Sequence, residues 1–356
     1  MKTQKGNVTI IIGAQWGDEG KGLISAYIAS REKATLVVRG GVGPNAEHGI
    51  FITESGPYIK VNQLPLGWIF SPTIQIRIGS GVAVNPQLLM EEMKRYHLEK
   101  RIKIDFRCPI ITHEHILAEQ KSKGMKSIGS TFSGSGYCRA DFVLRKAKQA
   151  RDIPELKKYV TDVSQEINAV SVNKPVVLES SQGTLLSLAI SSDYPNTTSD
   201  NVTTMAVGDD AGLNWQKIKD VILVVKTLPT REGNGSFGAP ELSEQHIISQ
   251  GLVEHSSIKG VIRRKATGIN WDLLKYAAEI NGATQIALTF CEHYDPKMTN
   301  ATHTSKITKK LWSLIHKIES VTKTPVTILN TGKPYHCIID LSKKKTDWKK
   351  IAKILP

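Results

Sequence analysis

Residues 8–22, VTIIIGAQWGDEGKG, constrain this chain more than any other stretch. Val8 to Ile12 is a β-branched run that stops at Gly13 and reads as a strand. A glycine-rich turn follows, carrying Asp18, Glu19 and Lys21, and the apolar-polar mix of Leu23 to Ile28 reads as a helix. Strand, loop and helix start in that order gather backbone N–H groups, a helix N-terminus and a lysine ammonium around one small volume, which suits a polyphosphate. A carboxylate there repels phosphate unless it serves Mg²⁺ or a proton transfer. The bland alternative is a tight turn that needs positive φ. The loop is not a Walker A motif: Gln15 stands where the first glycine is needed, and Gly22 follows Lys21 in place of Ser or Thr. G-x-G-x-x-G is absent as well.

Strand-like apolar runs recur at 8–12, 35–38, 75–78, 102–106, 175–179, 221–226, 285–290 and 325–329, with helical patterns at 86–97, 153–170, 271–279 and 303–320. This alternation predicts an α/β fold with a mostly parallel central sheet, flanking helices and long active-site loops. With no linker or internal repeat in its 356 residues, one domain spanning 1–356 is expected, with ligands outside the carboxyl ends of strands. No run of 18 apolar residues exists and Met1 to Gly6 lacks a signal-peptide core, so no membrane association and a cytoplasmic location are expected. Four scattered cysteines suit a reducing compartment. The net charge of +14 admits nucleic acid as a partner, but no aromatic-basic platform accompanies it. Anionic substrates and lysine-rich helix faces, including the tail from Lys343 to Lys353, explain it better.

GAQWGDEGKG resembles the N-terminal signature of the adenylosuccinate synthetases. The resemblance extends through RGGVGPNAEH (39–48), IGSTFSGSG (128–136), VLESSQGTLLS (177–187), TTSDNVTT (197–204), LPTREGNGSF (228–237), INGAT (280–284) and TGKP (331–334), and the short chain is similar to the compact archaeal form. It implies a ligase that condenses a purine 6-oxo nucleotide with L-aspartate, driven by a nucleoside triphosphate and Mg²⁺. Asp18 then matches the base that takes the N1 proton and also a Mg²⁺ ligand, although it could instead cap the helix beginning near Gly20. His48 matches the acid between the transferred phosphoryl and the 6-oxygen, a role that suits imidazole because its pKa lies near working pH. Lys21 matches the phosphate-contacting lysine, against a solvated loop lysine. The Glu47 carbonyl takes the second Mg²⁺ position. Ser130, Thr131 and Thr198 match contacts to the monophosphate, Asn45 a contact to nucleotide phosphate or to Mg²⁺-bound oxygens, Gln182 the amide that reads the purine, against an amide that satisfies backbone groups, and Arg263 the arginine that pairs with the aspartate carboxylate. Arg145 matches an arginine crossing a homodimer interface, against a plain basic face in RKAKQAR. Gly17, Gly20 and Gly22, with Glu292 and Gly332, match the triphosphate site.

The chain departs from the family pattern in places. Phe132 stands where a glycine usually lies, and Val261 where the first arginine of the aspartate loop usually lies. The usual TKLD that reads a guanine base is Thr289-Phe290-Cys291-Glu292, which puts GTP in doubt and points to ATP or dATP. GKGLI, SIKGVIRR and TFCEHYDP look like the bacteriophage branch, whose members act on dGMP and make the precursor of 2-aminoadenine DNA. The substrate expected on that ground is dGMP, with IMP as the alternative; retention of Asp18 speaks for IMP. A catalytically silent nucleotide-binding protein is the remaining alternative. His113-Glu114-His115, read as a short strand with both histidines on one face, lacks H-E-x-x-H spacing and carries no metal assignment.

Overall fold

The computed structural model describes residues 6–256 and 260–342. The strands are β1 Val8–Gly13, β2 Leu36–Arg39, β3 His48–Phe51, β4 Tyr58–Val61, β5 Gln75–Ile78, β6 Ile102–Asp105, β7 Val160–Thr161, β8 Val176–Gly183, β9 Ile218–Lys226, β10 Thr230–Arg231, β11 Arg264–Lys265, β12 Gln285–Thr289, β13 Val326–Asn330 and β14 Ile338–Asp340. Ten of them form one sheet in the order β14-β13-β12-β9-β1-β8-β2-β5-β6-β7. All neighbours in it run parallel except β13 and β14. The expected α/β architecture with a mostly parallel sheet is what forms.

Strand β1 is buried along its whole length because helices cover both faces of the sheet. Its side chains alternate. Ile11 joins Leu23, Ile24, Tyr27 and Ile28 of the helix Lys21–Arg31 on one face. Val8, Ile10 and Ile12 join Leu311, Leu314, Ile315 and Ile318 of the helix Lys309–Thr322 on the other. Two hairpin-like pairs, β3–β4 and β10–β11, stand off the main sheet as loop excursions over its carboxyl edge.

Two expected helices are shorter than the periodicity suggests. In 153–170, Pro154 opens a 3₁₀ segment Pro154–Tyr159, β7 follows, and the helix is only Val163–Val170, capped by the Asp162 side chain. In 303–320 a 3₁₀ turn Thr304–Lys306 precedes the helix Lys309–Thr322, which Thr308 caps. In both, a capping oxygen resets the start inside a continuous apolar pattern. His113-Glu114-His115 opens the helix His113–Lys121 and is not a strand. Residues two apart on a helix do not face each other. His115 accepts from the Thr112 N–H and meets Asp141 at 3.2 Å, so it is a capping residue. The lysine-rich tail from Lys343 lies outside the described residues.

The loop after β2 carries Asn45, Glu47 and His48, and its start is pinned from the helix Thr204–Asp210. The Gly41 N–H donates to Asp210 at 3.0 Å, and burial pushes that carboxyl up to about 6. The unfolded value is about 4, so the folded state favours the neutral acid and loses stability as pH rises from about 4 through 6. Asp210→Asn removes this titration. Relative to wild type, the variant is expected to gain roughly 1–2 kcal/mol between pH 4 and pH 7.5. Urea midpoints at the two pH values measure it; a constant difference between variant and wild type refutes it.

Candidate active site

The carboxyl end of β1 meets that of β8, with Gly13 beside Gly183. Neither position has room for a side chain. A Cβ on Gly13 would lie 2.5 Å from Glu19 Oε2, and one on Gly183 would lie 2.4 Å from Glu19 Oε1. The space is filled by the Glu19 carboxylate, which is fully buried and accepts from the N–H groups of Gln15 (3.0 Å) and Gly17 (2.9 Å). Lys21 Nζ completes the cluster at 2.6 Å. Burial alone would raise the Glu19 pKa, but the Lys21 ammonium outweighs it and holds the group below the usual carboxylate range. Lys21 is therefore a buried, paired lysine and not a solvated one. The helix starts on Gly20, left-handed at φ 85° and without a side-chain cap, so Asp18 does not cap it.

Packing along this helix sets His48. A Cβ on Gly22 would sit 2.6 Å from Leu66 Cδ1 and 3.1 Å from His48 Cβ, so the glycine admits β3 against the helix. His48 Nδ1 lies 2.5 Å from Glu179 Oε1 and 2.7 Å from Arg39 Nη1, and all three groups are buried. Arg39 also donates to Glu179 at 2.9 Å, and the Leu66 N–H donates to the other carboxylate oxygen at 2.8 Å. The carboxylate keeps the ring proton on Nδ1 and leaves Nε2 as an acceptor. Burial and the Arg39 charge push the His48 pKa down to about 4. The ring is thus neutral at rest, which corrects the expectation of a pKa near working pH.

These groups open onto a cleft of about 1350 Å³. Gly17, Asp18, Gly20, Lys21 and Gly22 line it, as do Asn45, Ser130, Thr131, Gln182 and Thr198. There Asn45 donates to Thr198 Oγ1 at 3.2 Å and receives the Gln182 amide at 2.5 Å, while Gln182 Oε1 is buried without a partner. Phe132, at φ 56°, keeps the left-handed turn that a glycine would make freely. Phe290, Glu292, His293, Asn330, Gly332 and Lys333 also line the cleft. Arg263 pairs with Asp18 and reaches Glu232 at 3.2 Å. Glu47 lines the cleft and is paired with Lys60 at 3.2 Å. Of the residues read from the sequence, Arg145 alone lies apart. It is exposed and donates to its own Val143 carbonyl at 2.5 Å.

A family model described as adenylosuccinate synthetase matches residues 10–155 and 149–296. The adenylosuccinate synthetase of Methanocaldococcus jannaschii is 42% identical over 339 residues, spanning 94% of this chain and 96% of its own. That of Archaeoglobus fulgidus is 40% identical over 341 residues, spanning 95% and 99%. The chain belongs to the adenylosuccinate synthetase family. It is accordingly a carbon–nitrogen ligase that condenses aspartate with a purine nucleotide. Among solved structures, the fully ligated adenylosuccinate synthetase from Plasmodium falciparum superposes with a TM-score of 0.84 at 22% identity, covering 94% of this chain and 100% of that one. Cyanophage S-2L succinoaminodeoxyadenylate synthetase, bound to dGMP and dATP as an energy donor, gives 0.78 at 23%, covering 98% and 99%. At these identities the likeness is one of fold.

Within this synthetase, several buried charges escaped the reading of the sequence. Glu19 was visible inside GDEGKG, but nothing local told that it, and not Asp18, is the buried carboxylate. Glu179 interrupts an apolar strand, VVLESS, and a lone carboxylate in such a run must find partners; that signal was available. Arg139, paired with Asp200 at the cleft wall, and the Lys226–Glu254–Lys265 cluster carried no local signal at all.

The neutral His48 has a direct readout. In the ligand-free protein its imidazole nitrogens are expected to titrate near 4, and binding of an anionic nucleotide is expected to raise that value by at least one unit. Nitrogen-15 chemical shifts of His48, assigned with His48→Gln, measure both. Titration above 6 in the free protein would contradict the buried, Arg39-flanked environment.

Proposed function

We propose that this synthetase joins L-aspartate to the 6-position of IMP through a 6-phosphoryl intermediate, driven by a nucleoside triphosphate. The observation that carries this reading is that Asp18 lines the cleft together with Lys21 and His48 and is paired there with Arg263. Asp18 takes the N1 proton of the purine, and the 6-oxygen attacks the γ-phosphorus as the nucleoside diphosphate leaves. Once the anionic nucleotide has raised its pKa and His48 carries a proton on Nε2, that N–H donates to the developing charge, and Lys21 supplies a fixed ammonium beside the transferred group. The aspartate amine then attacks C6, the C6–O bond breaks, and phosphate departs with the 6-oxygen and takes up the amine proton. Arg263 pairs with the aspartate carboxylate, which requires it to leave Asp18. Asn45, Ser130, Thr131 and Thr198 hold the monophosphate, and Gln182, with its unpartnered oxygen, reads the base.

The cleft suits Mg²⁺. Asp18 and Glu47 offer hard oxygen donors there, and among the described residues no group of three or more histidine, cysteine or acidic side chains could hold an ion by itself. Mg²⁺ keeps water and phosphate oxygens and needs few protein ligands. Asp18 and the Glu47 carbonyl would hold it, and it would neutralise charge on the triphosphate.

The relatives near 40% identity bear the name of the ordinary synthetase, which moves the preferred substrate from dGMP to IMP. The dGMP reading stands second. It is favoured by the phage neighbour, by TFCEHYDP, and by Val261, which lies more than half exposed in place of an arginine. Phosphate release with aspartate and each monophosphate distinguishes the readings. Turnover with IMP and none with dGMP is expected; the opposite outcome reinstates the phage reading. Asp18→Asn is expected to lower kcat about a thousandfold while leaving nucleotide binding within about threefold. A near-wild-type rate would remove Asp18 from the role of base.

We further propose a homodimer in which Arg145 reaches the partner's monophosphate. Exposed Val143 and Leu144, which border the cleft next to Arg145, support it. Mixing Asp18→Ala with Arg145→Ala chains is expected to restore about a quarter of wild-type activity, because half the dimers are mixed and each has one intact site. Failure to recover activity would place Arg145 outside the shared site.

A further inference from the structure

Arg263 stands on a hairpin-like excursion whose stem runs through 254–256 and 260–265. The Ser256 N–H donates to the Val261 carbonyl at 2.8 Å, and the Arg263 N–H donates to the Glu254 carbonyl at 2.8 Å. His255 and Ile262 form an antiparallel bridge between them. Glu254 thus lies directly across the stem from Arg263. Its carboxylate points away from solvent onto two lysines. Lys265 Nζ, two residues beyond Arg263, pairs with Oε1, and Lys226 Nζ, at the end of β9, pairs with Oε2 at 2.5 Å. Both lysine side chains are fully buried. Lys226 Nζ also donates to Thr230 Oγ1 at 2.8 Å.

Lys226 is itself tied to the loop that carries Asp18. Gln15 Nε2 donates to the Lys226 carbonyl at 3.0 Å, and the Lys226 N–H donates to Gln15 Oε1 at 2.9 Å. Asp18 and Arg263, which meet in the cleft, are therefore both placed by reference to one residue of the central sheet. We propose that Glu254 is a positioning residue: clamped between Lys226 and Lys265, it sets the hairpin at the distance from the Asp18 loop at which Arg263 meets the carboxylate of the incoming L-aspartate. This rests on the ligase reading above and adds to it the group that places the arginine.

Packing does little of this placing. Of the stem residues only Ser256 and Lys265 are buried; the rest are half-buried or exposed. A hairpin so thinly packed needs directional bonds to hold one position, and three charged groups at hydrogen-bond distance supply them. Apolar contacts would stabilise at least as well, since a buried ion pair seldom outdoes packing of the same volume. What the cluster adds is geometry. Glu254 also lines the cleft, where a bare carboxylate would repel an anionic substrate. Two ammoniums against one carboxylate leave the cluster cationic, so the tie is made without that repulsion. The Arg263 side chain is held within the same frame, its Nε donating to the His255 carbonyl at 3.2 Å. A misplacement of about 1 Å in a group that orients substrate costs up to about a hundredfold, so loosening the stem is expected to show in aspartate recognition.

The experiment is steady-state kinetics of the full chain, with Mg²⁺, ATP and the monophosphate that the phosphate-release assay above selects. Glu254→Gln is expected to raise the aspartate KM about thirtyfold, with kcat within about threefold and the KM of each nucleotide within about twofold. Because that variant leaves two buried lysines facing one neutral amide, the double variant Glu254→Gln with Lys265→Met, which keeps the net charge of the cluster, carries the same test. It is expected to match the single variant, and circular dichroism melts show which of them fold. Arg263→Gln alone is expected to raise the aspartate KM about a hundredfold, and adding Glu254→Gln to it is expected to raise it no more than about twofold further, because Glu254 acts through Arg263. An unmoved aspartate KM in Glu254→Gln, a common rise in all three KM values, or a full thirtyfold effect on top of Arg263→Gln would overturn the proposal and leave the ligase reading standing. An unmoved aspartate KM in Arg263→Gln would overturn the reading of Arg263 and this inference with it.

Discussion

The Glu19 carboxylate, laid across the ends of β1 and β8, is the interaction on which the rest of the site depends. It fits because Gly13 and Gly183 leave no Cβ in its way. In that place it draws two backbone N–H groups and the Lys21 ammonium to itself, so the loop from Gln15 to Lys21 has one conformation. Breaking a buried pair by removing one partner typically costs several kcal/mol, because the survivor remains buried and uncompensated. Fixing Glu19 also fixes its neighbours. Asp18, next in the chain and left-handed at φ 58°, is turned the other way, into the cleft. Two adjacent carboxylates thus take opposite places, one holding the loop and one lining the cleft.

The same fold holds three of five desolvated carboxyl groups down and pushes two of them up. Glu19 and Glu179 face cations at hydrogen-bond distance and stay ionised despite full burial. Glu254 has two lysines, which hold it down to about 2. Asp210 is pushed up to about 6 and Glu292 to about 7, because among the described residues neither has a cation in direct contact to offset desolvation. Charge placement in this protein is therefore a matter of which carboxyl the cations touch. Arg39 shows the cost from the other side: its charge stabilises Glu179 and at the same time keeps His48 neutral. An anionic triphosphate arriving beside His48 would oppose that effect, which ties the acid's protonation to occupancy of the site.

Much of this was legible in the chain. Every expected strand run falls on a strand of the main sheet, since β-branched runs buried on both faces read clearly in sequence. Ends were less legible: Asp162 and Thr308 reset helix starts within patterns that looked continuous. The residues named for the cleft, except Arg145, line it, because short glycine-bounded motifs at strand ends leave few places to go. His113 to His115 misled because three residues are too few to separate a period of two from one of 3.6.

By itself the sequence determined the strand–loop–helix start, the parallel α/β plan and the residue types that face substrate. These follow from local periodicity and from motifs whose parts are close in the chain. Only the tertiary structure decided the state of those residues. That Lys21 is spent on Glu19, that Arg263 rests on Asp18, that His48 is neutral and that Glu292 stands without a cation are all contacts or absences between groups up to hundreds of residues apart. Desolvation and Coulomb energy depend on burial and distance in space, and neither quantity is written in the order of the residues.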